Sequence, residues 1–89
     1  MGEAGMTLEI ITPEKVLFNG EVEYTRLPGS KAPFVVLNNH APIISVLTEG
    51  VVVWRSSGAE ESVEVAGGFA EVKDNHITVC VELPLKSVK

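Results

Sequence analysis

Residues 34–54 read FVVLNNHAPIISVLTEGVVVW, and the other strand patterns of the chain lie on both sides of this stretch. Three apolar runs rich in β-branched residues occupy residues 34–37, 43–47 and 51–54, with Asn, Pro and Gly between them. Runs of this length and composition are typical of β-strands and are too short for helices. Because the runs are apolar at successive positions, we expect both faces of these strands to be covered. The stretch therefore predicts three successive strands in the centre of the domain.

Strand patterns continue on both sides of this stretch. Alternating or short apolar runs occupy residues 7–11, 15–18, 21–27, 61–65 and 77–81. Asn19-Gly20 is a strong signal for a tight turn with positive φ, so it predicts a hairpin between the second and third of these runs. The alternation after this turn places Val22 and Tyr24 on the inner face of the next strand and Thr25 on its outer face.

Two further segments carry backbone signals. The paired glycines Gly67 and Gly68 predict a bulge or the close approach of another backbone. Asp74 and Asn75 lie at the centre of a predicted turn and tolerate left-handed dihedral angles. Both segments therefore predict connections between strands and not helices.

The strands define the fold class. About nine short runs at regular spacing, with frequent turn signals, predict a single all-β domain. We expect an antiparallel β-sandwich of about nine to ten strands, because the runs are short and their turns irregular; a barrel stays open as the alternative. The sandwich is expected to span residues 7–82, after a flexible leader at 1–6 and before a C-terminal tail at 83–89.

The charge balance excludes several classes of protein. Twelve acidic and seven basic residues give a formal charge of −5, and the basic residues are scattered singly. Nucleic acid and anionic lipid are bound by clustered Lys and Arg, so neither is an expected partner. No run approaches the ~18 consecutive apolar residues of a membrane span, which argues against direct insertion into a membrane. The single cysteine suits a reducing compartment, so a soluble cytosolic domain is expected.

No group of side chains in the sequence predicts an active site, a metal site or a cofactor. His40 stands out between two asparagines and Ala41-Pro42, but metal sites need three or four ligands at recognisable spacing. Cys80 has no basic neighbour in sequence that would activate its thiol. Trp54 ends an apolar strand, and the pattern leaves open whether it is core or a partly exposed contact. The residues alone therefore indicate a small binding module.

The order of motifs resembles the epsilon subunit of rotary F-type ATP synthases. The signature of that family is Pro-Gly, an aliphatic strand, and then His-Ala-Pro followed by two aliphatic residues, which His40-Ala41-Pro42 matches here. The similar segments, in order, are residues 8–15, 18–22, 27–29, 34–45, 50–52, 65–72 and 77–79. The resemblance covers residues 7–81, nearly the whole chain.

The resemblance implies a function and two contact segments. It implies a β-sandwich at the foot of the central stalk, a rotor subunit without an active site or cofactor that binds the gamma subunit and the polar loops of the c-ring. Such a subunit couples proton transport to ATP synthesis and hydrolysis at the cytoplasmic face of a bacterial membrane. The implied c-ring-facing loop comprises Leu27, Pro28, Gly29, Ser30, Lys31 and Ala32. The implied gamma-contact region comprises Asn38, Asn39, His40, Ala41 and Pro42.

Two features depart from the family pattern. Many members carry a C-terminal helical hairpin that inhibits ATP hydrolysis and in some members binds ATP. The sequence to Lys89 does not include it, so neither property is carried over. In the c-ring-facing loop, Lys31-Ala32-Pro33 stands where the family often has an acidic residue and a glycine, which changes the charge that the loop presents.

Two other functions compete with the rotor subunit. A carbohydrate-binding sandwich would stack sugars on a platform formed by Trp54, Tyr24 and Phe34. A small enzyme would use His40 as its base. The positions of these four side chains decide between the alternatives.

Overall fold

The computed structural model describes residues 5–85, and these residues form nine β-strands. The strands are β1 (Met6–Ile11), β2 (Val16–Val22), β3 (Tyr24–Leu27), β4 (Phe34–Val36), β5 (Ile43–Leu47), β6 (Gly50–Ser56), β7 (Ala59–Val65), β8 (Gly67–Lys73) and β9 (His76–Glu82). Within the same residues, no helix is long and apolar enough to cross a membrane.

The strands form two sheets. The five-stranded sheet has the order β2-β1-β9-β8-β5, and the four-stranded sheet has the order β4-β3-β6-β7. Neighbouring strands are antiparallel except for β1 and β9, which are parallel, with Leu8 opposite Ile77. The predicted all-β sandwich is therefore confirmed, with one parallel pair that the prediction did not include.

The hydrophobic core lies between the inner faces of the two sheets. Successive side chains of a strand point to opposite faces, so alternate residues enter the core. The buried apolar residues are Met6, Leu8, Ile10, Val22, Leu27, Val36, Leu47, Val52, Trp54, Val65, Ala70, Val72, Ile77, Val79 and Val81. Burial of each large aliphatic side chain contributes about 1.5–3 kcal/mol. Residues 5–85 form only two layers, so within this range no third layer covers the outer face of either sheet.

The first strand begins earlier than the predicted domain boundary. Met6 pairs with Val22 at the start of β1 and its side chain is buried. The last residue assigned to the predicted leader is therefore part of the core. Residues 1–4 of that leader and residues 86–89 of the predicted tail lie outside the described residues.

The turn predicted at Asn19-Gly20 is wrong. Both residues lie inside β2, where Asn19 pairs with Glu9 and Gly20 with Leu8. The connection between β1 and β2 lies instead at residues 12–15, where the Thr12 hydroxyl accepts hydrogen bonds from the backbone N–H groups of residues 14 and 15. The residues before and after the Asn-Gly pair both pair with β1, and this pairing overrides the turn propensity of Asn-Gly.

The predicted inner face of the next strand is right for Val22, which is in the core, but wrong for Tyr24 and Thr25. Thr25 is fully buried, whereas Tyr24 is only half-buried. The reason is that the chain passes from one sheet to the other at Glu23, between β2 and β3. Val22 faces the core from the five-stranded sheet. In the four-stranded sheet, Thr25 is the first residue of β3 that faces the core.

The arrangement predicted for residues 34–54 needs a larger correction. The three strands exist, but β4 and β5 are edge strands of different sheets, and only β6 is internal. Ile44 and Val46 are 75% and 62% exposed on the outer face of β5. The successive apolar residues therefore do not indicate a strand covered on both faces. They leave apolar side chains on the surface.

The close backbone approach predicted at the paired glycines is confirmed. A Cβ atom built on Gly68 would lie 2.0 Å from the Cys80 carbonyl oxygen, and the φ angle of Gly68 is +148°. No side chain fits between β8 and β9 at this point. Position 68 therefore requires glycine for both its dihedral angle and its space.

Replacing Gly68 with Ala should lower the free energy of unfolding by about 3 kcal/mol or more, because β8 and β9 must separate locally. The matched control is Gly58→Ala, where φ is +78° and nothing lies within 4 Å of the added Cβ. There only the left-handed backbone resists the change, at about 1–2 kcal/mol. Urea unfolding followed by Trp54 fluorescence measures both variants. Equal losses would contradict the steric explanation.

Candidate partner-contact site

The predicted c-ring-facing segment, residues 27–32, has a buried first half and an exposed second half. We call it the 27–32 loop. Leu27, Pro28 and Gly29 are buried, and Ser30, Lys31 and Ala32 are exposed. Only the last three residues can therefore contact a partner with their side chains, while the first three hold them in place.

Backbone hydrogen bonds fix the 27–32 loop against β5, across the gap between the sheets. The Ser30 N–H donates to the Val46 carbonyl at 2.9 Å, and the Thr48 N–H donates to the Pro28 carbonyl at 2.8 Å. Gly29 also pairs with Leu47 in an isolated β-bridge. These contacts anchor residues 28–30 of the loop, from which the exposed Lys31 and Ala32 follow directly.

A glycine allows this close packing of the loop. A Cβ atom on Gly29 would lie 2.6 Å from the Ala32 carbonyl oxygen and 3.0 Å from the Phe34 ring. The loop folds back on itself at this point, and only glycine leaves room for the carbonyl. The Pro-Gly pair in the sequence therefore has a steric cause.

The predicted gamma-contact segment, residues 38–42, is a second exposed feature, which we call the 38–42 turn. Asn39 has a φ of +66°, and the His40 N–H donates to the Leu37 carbonyl at 3.1 Å to close the turn. Four of the five residues of the turn are exposed, and His40 is half-buried.

Asn75 holds the 38–42 turn from the neighbouring β8–β9 connection. Its Oδ1 accepts a hydrogen bond from the Asn39 N–H at 2.7 Å, and its Nδ2 donates to Asn38 Oδ1 at 2.9 Å and more weakly to Asn39 Oδ1 at 3.4 Å. Asp74 and Asn75 have φ angles of +53° and +61°, as predicted for this connection. The sequence signals identified the left-handed backbone but not the hydrogen bonds made by Asn75.

His40 has a structural contact within its own turn. Its Nδ1 atom lies 2.7 Å from the Ala41 carbonyl oxygen. A carbonyl oxygen only accepts hydrogen bonds, so Nδ1 carries the proton in this arrangement. Within residues 5–85, no group of three or more His, Cys, Asp or Glu side chains could hold a metal ion. His40 thus contacts the backbone of its own turn through Nδ1.

The aromatic platform of the carbohydrate-binding alternative is not assembled. Trp54 is 5% exposed and packs on Phe18, with ring centroids 5.0 Å apart. The question that the sequence left open for Trp54 is thus answered in favour of the core. Phe34 is half-buried against the core, and the Tyr24 hydroxyl donates a hydrogen bond to Glu60. No sugar can stack on a buried indole.

Tyr24 belongs to a polar cluster on the four-stranded sheet, away from both predicted contact segments. The pKa of its phenol is raised above the ordinary value, first because the hydroxyl donates to the Glu60 carboxylate and then because of desolvation. Arg55 opposes this shift. The phenol therefore stays protonated at neutral pH and offers neither a base nor a nucleophile.

The 27–32 loop and the 38–42 turn lie at opposite ends of β5. Pro42 directly precedes Ile43, the first residue of the strand, and Gly29 pairs with Leu47, the last. Four residue steps at about 3.3 Å each separate Ile43 from Leu47 by roughly 13 Å. The structure therefore presents two exposed, fixed segments at the two ends of one edge strand.

A family match accounts for this β-sandwich with exposed end loops. Residues 5–83 match the family described as the β-sandwich domain of the ATP synthase delta/epsilon chain. The chain belongs to this family. It is 41% identical over 80 residues to the ATP synthase epsilon chain of Nitratidesulfovibrio vulgaris strain DP4, covering 90% of this chain and 60% of the relative.

A second relative gives the same result. The ATP synthase epsilon chain of Leptospira borgpetersenii is 39% identical over 77 residues, which are 86% of this chain and 61% of the relative. The chain therefore spans about 60% of the length of these curated relatives.

Solved structures confirm the fold. A chain of the Tetrahymena thermophila mitochondrial ATP synthase central stalk and c-ring has a TM-score of 0.76 at 20% identity, covering 92% of this chain and 66% of that chain. A chain of the Euglena gracilis mitochondrial ATP synthase has a TM-score of 0.82 at 18% identity, covering 89% of this chain and 51% of that chain. At these identities the likeness shows the fold alone.

Replacing Asn75 with Gly should loosen the 38–42 turn without straining the backbone, because glycine accepts a positive φ. Loss of the Asn75 hydrogen bonds should cost about 1–2 kcal/mol of stability and speed hydrogen exchange at the Asn39 amide. The matched control is Asp74→Gly, at a similar φ in the same connection, since no side-chain hydrogen bond of Asp74 is found within residues 5–85. If both variants exchange at the same rate at Asn39, Asn75 does not hold the turn.

Proposed function

We propose that the chain is a non-catalytic rotor subunit of an F-type ATP synthase. It binds the gamma subunit through the 38–42 turn and the polar loops of the c-ring through the 27–32 loop. There it turns with both partners and couples proton transport to ATP synthesis and hydrolysis, at the cytoplasmic face of a bacterial membrane. The observation that carries the proposal is the family match across residues 5–83.

The separation of the two contact segments supports a subunit with two partners. The segments occupy opposite ends of β5, so they can face two different partners. A subunit of the rotor has to hold the gamma subunit and the ring at the same time. The geometry fits that requirement without any movement of the sandwich.

The rigidity of both segments supports the same role. Backbone hydrogen bonds fix the 27–32 loop to β5, and Asn75 fixes the 38–42 turn. A segment that is already ordered loses little conformational entropy when it binds. It also transmits force without first being stretched, which suits a component that turns with its partners.

The chemistry of the two segments differs. The 38–42 turn offers amide and imidazole groups that donate and accept hydrogen bonds, whereas the 27–32 loop presents one cation, Lys31, between two small side chains. The loop therefore fits a partner surface made of polar or acidic loops, and the turn fits a hydrogen-bonding protein surface.

Co-expression with the gamma subunit from the same genome tests the proposal directly. We expect a stable one-to-one complex by size-exclusion chromatography with light scattering, and no ATP hydrolysis by the chain alone. The complex should then be retained on purified c-ring in detergent. Separate elution of the two proteins would overturn the rotor assignment.

A bulky side chain at the tip of the 27–32 loop should block contact with the ring. Ala32→Trp should reduce retention on the c-ring by at least about tenfold while leaving the gamma complex intact, because Ala32 is exposed and its replacement clashes only with a partner. Ala59→Trp is the matched control, since Ala59 is also exposed but lies at the opposite end of the sandwich. Equal retention of both variants would place the ring contact elsewhere.

A further inference from the structure

The Asn19-Gly20 pair carries chemistry that neither predicted contact segment uses. Asparagine is a thermolabile residue, because its side-chain carbonyl carbon can be attacked by the backbone nitrogen of the next residue. Glycine in the next position favours this attack, since it has no side chain and its backbone turns freely. Of the four asparagines in the sequence, Asn19 alone precedes a glycine, whereas Asn38, Asn39 and Asn75 precede Asn or His. The sequence therefore contains one dipeptide that is especially prone to this reaction.

The structure places this dipeptide at the centre of β2, which is an edge strand of the five-stranded sheet. The Asn19 side chain is exposed, so water reaches its carboxamide. Exposure of the side chain therefore gives no protection, and any protection has to come from the backbone of Gly20.

Pairing with β1 holds the Gly20 nitrogen. The Thr7 N–H donates to the Asn75 carbonyl on the β9 side of β1, at 2.9 Å. Successive residues of a strand direct their N–H and C=O groups to opposite edges, so the polar groups of Leu8 face β2. Leu8 lies opposite Gly20, and the two residues form a hydrogen-bonded antiparallel pair. The nitrogen that attacks in the reaction is thus a donor in the sheet and cannot turn toward Asn19 Cγ.

The ring of Phe18 covers Gly20 from the inner side of the sheet. A Cβ atom built on Gly20 would lie 3.2 Å from Phe18 Cζ, and the same ring packs on Trp54 with centroids 5.0 Å apart. Rotation of the peptide between Asn19 and Gly20 would have to break the pairing with β1 and displace this ring. The reaction therefore requires β2 to leave the sheet.

We propose that Asn19 is a site of spontaneous deamidation, with water as the co-reactant, and that pairing of β2 with β1 protects it in the folded chain. In the unpaired strand, the Gly20 nitrogen loses its proton to hydroxide and attacks Asn19 Cγ. The new N–Cγ bond closes a succinimide ring, the Cγ–Nδ2 bond breaks, and the Nδ2 nitrogen takes a proton from water and leaves as ammonia. Water then opens the ring at either carbonyl, which yields aspartate or its β-linked isomer isoaspartate.

Neither product fits β2 as well as asparagine does. A carboxylate at position 19 lies directly opposite Glu9, and like charges opposite each other destabilise a strand pair. Isoaspartate adds one carbon to the backbone between two residues that the core holds in place, Phe18 and Val22. A shift in register would withdraw one of them from the core. A chain that is deamidated while unfolded therefore refolds with a weakened β1–β2 pair.

The other three asparagines are held by hydrogen bonds of the 38–42 turn and serve as internal references. The nitrogens that would attack Asn38 and Asn39 belong to residues 39 and 40, which donate to Asn75 Oδ1 at 2.7 Å and to the Leu37 carbonyl at 3.1 Å. The Asn75 carboxamide is itself fixed by its bonds to Asn38 and Asn39. The fold therefore protects all four sites, but only Asn19 is followed by glycine once the chain is unfolded.

Incubation at mildly alkaline pH, with and without urea, tests the proposal. Peptide mapping by mass spectrometry counts the conversion of each asparagine separately. Asn19 should convert at least about tenfold more slowly in the folded chain than in urea, because only the open fraction reacts. In urea, Asn19 should convert before Asn38, Asn39 and Asn75 of the same sample. Equal rates for Asn19 with and without urea, or no preference for Asn19 in urea, would overturn the proposal.

A pair of variants tests the fate of the product. Asn19→Asp places the carboxylate opposite Glu9, and Asn19→Ser is the matched control, since it also removes the carboxamide but adds no charge. At neutral pH, Asn19→Asp should unfold at a lower urea concentration than Asn19→Ser. Equal midpoints would contradict the expected misfit of the charged product in β2. Both experiments use the chain alone, so their outcomes are independent of the rotor assignment.

Discussion

Two backbone hydrogen bonds between the 27–32 loop and β5 connect the two sheets at one end of the sandwich. Within its own sheet β5 pairs with β8 alone, so these hydrogen bonds are its backbone connection to the segment that follows β3 in the other sheet. Because Leu27 and Leu47 are both buried beside this connection, the hydrogen bonds and the core support each other. The surface positions of Ser30 and Val46 both depend on this one contact.

The placement of β5 gives the two proposed contact segments a common support. As an edge strand it carries the 38–42 turn at one end, the anchored loop at the other, and two exposed apolar side chains between them. The surfaces that we propose as partner contacts therefore adjoin a single strand. The four-stranded sheet instead carries polar contacts on its surface. These are the Tyr24–Glu60 hydrogen bond and the Arg55–Glu23 ion pair of 3.9 Å.

The sequence predicted the number of strands, the sandwich, the left-handed connection at Asp74-Asn75 and the close approach at Gly68, because each depends on local composition. It did not predict which strands pair. Asn19-Gly20 favours a turn locally, yet pairing with β1 holds it in a strand. The buried Thr25 and the exposed Val46 depend on where the chain changes sheets. The hydrogen bonds made by Asn75 join residues distant in sequence, so no local pattern could indicate them.

The parallel pairing of β1 with β9 has a consequence for how the protein is made. The last strand occupies the middle of the five-stranded sheet, between the first strand and β8. A nascent chain on the ribosome therefore cannot complete this sheet before residue 82 has emerged. Contacts this distant in sequence slow folding, because the loop must close before any pairing free energy is gained. Until then, β1 and β8 expose edges that a chaperone could shield.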